Sequence, residues 1–114
     1  MRLAEGAPDF AAELEAGLRL AECPELAAQV AGLEATSRCG CGDDSFFSFY
    51  TGAQPDGPWG DGHETVPLLL EMRSGTVCVD TVHSEIRFVE ALDRTDLASF
   101  VADVAPRESP GQRH

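Results

Sequence analysis

Cys39 and Cys41 stand one residue apart in Ser37-Arg38-Cys39-Gly40-Cys41-Gly42-Asp43-Asp44, and they are the residues in this chain best placed to do chemistry. On an extended segment both thiols point to the same side. Gly40 between them lets the backbone turn, so the two sulfurs can converge on one ion. A structural zinc site needs four nitrogen or sulfur ligands. Cys78, His63 and His83 are the residues that could complete it, which makes Cys39, Cys41 and Cys78 the candidate metal ligands and zinc the candidate cofactor. A second chemistry is thiol-based, because a redox or nucleophilic cysteine works as its thiolate and needs a cation, an imidazolium or a helix N-terminus nearby. Arg38 would supply that cation, while Asp43 and Asp44 would oppose it. The third assignment, partly buried structural thiols, is the one the spacing favours: a C-x-C pair is a weaker metal signal than two C-x-x-C pairs.

Other residues exclude chemistry more than they suggest it. Gly40-Cys41-Gly42 lacks the lysine and the strand-to-helix setting of a phosphate loop. Asp43, Asp44, Asp56 and Asp61 read as solvated loop carboxylates, and no Ser-His-Asp order or paired-carboxylate spacing stands out. No catalytic residue is assigned, and the expected activity is binding, to another protein or to a second copy of the chain. Trp59 lies in a Gly- and Pro-rich connection from Gly52 to His63, a length that in a small domain is usually functional or mobile. It either folds back over the sheet or offers rigid apolar contact area to a partner. Tyr50 and His63 join Trp59 as candidate binding residues.

The elements that must position these side chains follow from periodicity. Phe10, Leu14 and Leu18 recur every four residues after Pro8, predicting a helix over 8–22. Leu26, Val30 and Leu33 predict a second from Pro24 to about Glu34. Phe46, Phe47, Phe49, Tyr50 and Thr51 then form a strand-favouring run. Val66, Leu68, Leu70 and Met72 alternate with Thr65, Pro67, Leu69 and Glu71, and Pro67 places that strand at an edge. After a turn at Arg73-Ser74-Gly75, Thr76 to Val82 and Glu85 to Leu92 pair about a two-residue turn at His83-Ser84. That register sets Val79 opposite Phe88, Thr81 opposite Ile86 and Asp80 opposite Arg87. Val77, Val79, Ile86 and Phe88 would then line the apolar face, with Cys78, Asp80, Arg87 and Val89 on the other. Asp93 or Thr95 can cap a last helix carrying Leu97, Phe100, Val101 and Val104.

The expectation is an α+β fold: an N-terminal helix or helix pair, a four- to five-stranded antiparallel meander sheet and a C-terminal helix, forming a single domain over 1–106 with a disordered tail over 107–114. With 114 residues and 43% apolar content, no metal or disulfide is needed to rescue its stability. Its four cysteines are expected to be reduced thiols. Twenty acidic residues against eight arginines leave a net charge of −12, which makes nucleic acid and anionic membrane poor partners and favours a basic one. The N-terminus lacks the apolar run of a signal peptide and no segment approaches a membrane span, so the cytoplasm is the expected location.

Arg38-Cys39-Gly40-Cys41-Gly42-Asp43-Asp44, Phe49-Tyr50-Thr51, the Gly/Pro-rich loop and Ile86-x-x-Val89-Glu90-x-Leu92 together resemble a group of small proteins from high-GC actinobacteria over about residues 8–104. Members of that group often carry a further cysteine after the C-x-C-G run, where this chain has Asp43, Asp44 or Ser45, and an Asp-Gly turn where this chain has His83-Ser84. The resemblance implies a fold unit and a bacterial source, and no chemistry.

Overall fold

Pro8 has no backbone N–H to waste at the first position of a helix, and the helix it opens, Pro8–Leu20, buries Phe10, Leu14 and Leu18 along one stripe. The computed structural model describes residues 1–38, 47–51, 60–68 and 76–104. In chain order these hold α1 (Leu3–Gly6), α2 (Pro8–Leu20), α3 (Pro24–Gln29), β1 (Ser37–Arg38), β2 (Phe49–Tyr50), β3 (His63–Leu68), β4 (Thr76–Val82), β5 (Glu85–Leu92) and α4 (Ala98–Asp103). The fold is α+β, with helices at both ends and an antiparallel sheet between them. The tail over 107–114, the turn at Arg73-Ser74-Gly75, and Leu70 and Met72 of the alternating run lie outside the described residues.

The helices are shorter than their periodicity implies, for reasons visible at their ends. At the end of α2 the Cys23 N–H donates to the Leu18 carbonyl (2.9 Å) and the Glu22 N–H to that of Arg19 (3.1 Å), with Glu22 at φ 63°. This is a Schellman stop, with glutamate in the left-handed position that glycine usually takes. Pro24 then opens α3, which tightens into a 3-10 turn over Val30–Gly32 before Glu34 is reached. At the other end, Asp93 has φ 58° and neither it nor Thr95 caps the last helix; a 3-10 turn, Thr95–Leu97, leads into α4 instead.

The sheet order is β1-β2-β5-β4-β3. β3, β4 and β5 form a meander, but β2 pairs β5 rather than its sequence neighbour β3, so the chain crosses from one side of the ribbon to the other between β2 and β3. Ser48 extends that pairing with its side chain: Oγ accepts from the Ala91 N–H (3.0 Å) and donates to the Ala91 carbonyl (3.4 Å). β3 is the edge strand that Pro67 requires.

One extra residue in β5 corrects the predicted hairpin. Thr81 does face Ile86, but the register slips between Asp80 and Thr81, so that Asp80 faces Phe88 and Val79 faces Val89. Arg87 is the bulged residue. A one-residue slip exchanges the two faces of a strand, which sends Val89 into the core (0% exposed) and turns Phe88 out of it. The predicted Asp80–Arg87 pair does not form; Arg87 lies 3.6 Å from Glu85 instead.

Phe49, Val77, Val79, Ile86, Val89 and Ala91 therefore line the core face, against Leu14 and Leu18 of α2, Leu26 of α3 and Phe100 of α4. The rings of Phe49 and Phe100 meet edge to face at 5.4 Å. Gln29 at the end of α3 fastens the hairpin turn. Its Nε2 donates to the Ser84 carbonyl (2.7 Å) and its Oε1 accepts from the Ile86 N–H (2.9 Å).

Between β5 and α4, Arg94 is sealed in at 1% exposure. It donates to Glu13 of α2 (2.6 Å) and through two nitrogens to Asp96 (2.9 Å each), with its guanidinium over the Phe10 ring at 5.2 Å. Burial alone would lower its pKa, but the hydrogen bonds and charges of Asp96 and Glu13 outweigh that and hold it above its ordinary value.

Candidate functional site

The face of the sheet turned away from the helices is where the chain places its polar chemistry. The His83 N–H donates to the Gly62 carbonyl (3.1 Å), which makes the even-numbered residues of β3 the ones hydrogen-bonded to β4. His63, Thr65 and Pro67 then belong to the closer, non-hydrogen-bonded pairs, opposite Val82, Asp80 and Cys78. Side chains in such pairs approach closely. Thr65 Oγ1 donates to Asp80 Oδ1 at 2.6 Å, and His63 Nε2 meets the same oxygen at 2.9 Å. Asp80 is buried at 8% exposure, so it needs those partners.

Glu85 and Glu90 share this face with Asp80 by the alternation of β4 and β5, facing Val82 and Cys78 respectively. Cys78 is half-buried between Pro67 and Glu90. Burial pushes its thiol pKa up, and the carboxylates of Glu90 and Asp80 push it the same way. It is held as a thiol, the opposite of what a nucleophile or a metal-binding thiolate requires.

Beside this polar cluster lies an aromatic one. Tyr50 pairs with Phe88 across β2 and β5, with ring centroids 4.5 Å apart. Tyr50 is buried at 8% and lies beside Phe88 on the same face of the sheet. Phe88 is half-buried, and nothing in the sequence marked it as a surface residue, because its exposure depends on the bulge at Arg87.

Of the other expected site residues, His63 joins the Asp80 cluster, and His83 sits in the hairpin turn with its ring packed against Gly62. A Cβ at Gly62 would come within 2.5 Å of that ring, and Gly62 has φ 81°, so glycine is required there on both counts. Trp59, Cys39 and Cys41 lie outside the described residues. Among the described residues no group of three or more histidine, cysteine or acidic side chains is arranged to hold a metal ion. Nor is any helix among them long and apolar enough to cross a membrane.

A separate cleft of about 220 Å³ opens between the start of α2 and α4, lined by Pro8, Asp9, Phe10, Asp96, Ser99 and Phe100 among others. Its Asp96 carboxylate is already engaged by Arg94. In comparisons with protein-family models, curated proteins and solved structures, nothing matches this chain.

Proposed function

We propose that this protein acts by binding another polypeptide, without catalysing a reaction, through the sheet face away from the helices and the β3 edge beside it. The observation that carries this reading is the bulge at Arg87, which takes Phe88 out of the core and presents it, beside Tyr50, on the same face as Thr65 and His63. A half-buried aromatic on a rigid strand, bordered by hydrogen-bonding groups, is the composition of a protein contact patch. The raised pKa of Cys78 speaks in the same direction, since the thiol on that face is held in its unreactive form.

The reading is tested on the purified chain by sedimentation and by selection from a displayed random-peptide library, with binding mapped by amide resonances. Self-association or selected peptides that shift Thr65 and Phe88 support it. A chain that stays monomeric at high concentration and yields no binder, or binders that shift only the helices, overturns it.

A further inference from the structure

We infer that the partner is a basic, extended segment that adds to the sheet as a further strand along β3; this rests on the polypeptide-binding reading above. Three observations meet on that edge. The first is the backbone. Because Gly62 and the even-numbered residues of β3 turn their peptide groups toward β4, the N–H and C=O of Thr65 and the C=O of Pro67 point away from the sheet. Thr65 and Pro67 are both exposed. Pro67 lacks only a donor that would have faced outward, so it leaves the β4 ladder intact and marks the outer row without closing it.

The second is charge. Over 60–68 and 76–92, the described residues carry Asp61, Glu64, Asp80, Glu85 and Glu90 against one cation, Arg87. Within the whole chain the balance is −12. A second copy would bring the same excess of negative charge to a short edge, and like charge suppresses that encounter, whereas a cationic segment is steered toward it.

The third is the division between the two faces of β3. Val66 is half-buried at the margin of the core face, while Thr65 lies on the face shared with Asp80, Glu85 and Glu90. An incoming strand with apolar residues on one side and arginine or lysine on the other matches both, extending the core beside Val66 and setting its cations on the acidic face.

The probe is a synthetic peptide of alternating arginine and valine, with three comparison peptides. One replaces arginine by glutamate; two carry N-methyl groups on alternate amides, in the two opposite phases. We expect the arginine peptide to bind, the affinity to fall as salt is raised, and the glutamate peptide not to bind. Strand pairing uses alternate amides only, so one methylated phase retains binding. The other weakens it about thirty-fold, the consequence of two lost backbone hydrogen bonds. Charge reversal by Glu85→Arg, at an exposed side chain on the face shared with Asp80, weakens the arginine peptide.

Equal tolerance of both methylated phases overturns strand addition. Preference for the glutamate peptide, or sedimentation of the chain as a β3-paired dimer, overturns the basic partner. In either case random-library binders that shift Thr65 and Phe88 leave the polypeptide-binding reading standing. If the library also yields nothing and the chain stays monomeric, the reading itself falls.

Discussion

Replacing Arg94 by methionine removes one side of a buried ion cluster and leaves the other in place. The guanidinium is 1% exposed and makes three hydrogen bonds, and the Glu13 side chain it holds is 8% exposed. Glu13 Oε2 is buried and has no other partner, so after the substitution this carboxylate loses its compensating charge in a site water does not reach. Breaking a buried pair in this way costs about 3–5 kcal/mol. With a urea dependence of about 1–3 kcal/mol per M, typical of a domain this small, the unfolding midpoint of Arg94→Met should fall by about 2 M. The exposed partner Asp96, at 27%, contributes little to that loss. The double variant Arg94→Met/Glu13→Gln removes the stranded charge and should recover more than half of it. The assay is equilibrium urea denaturation followed by fluorescence and circular dichroism. A single variant whose midpoint lies within about 0.5 M of the parent, or a double variant no more stable than the single, would refute the reasoning.

Three further predictions follow from particular geometry. His83 and Ser84 both have positive φ, 51° and 64°, in a two-residue hairpin turn. Ser84→Gly should stabilise the fold by about 1 kcal/mol, read as a higher unfolding midpoint; a lower one would mean the turn is not left-handed. Thr65→Val keeps strand propensity but withdraws a donor from buried Asp80, and should cost about 1–2 kcal/mol in the same assay, whereas no loss would show that Asp80 does not depend on Thr65. The Cys78 thiol has a folded-state pKa raised above its unfolded value, so its contribution to stability is complete below the unfolded thiol pKa of about 8.5 and is lost as pH rises through the folded value. Alkylation of Cys78 near pH 8 should be slower than that of a free thiol, and Cys78→Ala should flatten the alkaline loss of stability; a fast-reacting Cys78 would contradict the raised pKa.

The class of the fold and its longer elements could be read from periodicity because the signals are local. Phe10, Leu14 and Leu18 repeat at helical spacing, and Pro67 announces an edge strand wherever the sheet places it. What could not be read was long-range. The bulge at Arg87 is one residue with no compositional mark, yet it exchanges Phe88 and Val89 between faces and breaks the expected Asp80–Arg87 pair. Pairing of β2 with β5 rather than β3 is likewise a tertiary choice, made by where Phe49 can be buried. Helix lengths went astray because the stops are unusual: Glu22 takes a left-handed position in place of glycine, and neither Asp93 nor Thr95 caps the last helix. Of the site, His63 was identifiable by residue type. Asp80 was assigned the wrong partner, because its true ones, His63 and Thr65, come from a strand whose register only the sheet determines.

The proposed partner is received at the outer edge of β3. Amide hydrogen exchange at Thr65, measured with and without the alternating arginine and valine peptide, tests this most directly. Slowing of exchange at Thr65 when peptide is added, with the amides of Glu64 and Val66 unchanged, is the predicted result. Exchange at Thr65 that is indifferent to a peptide shown to be bound would contradict it.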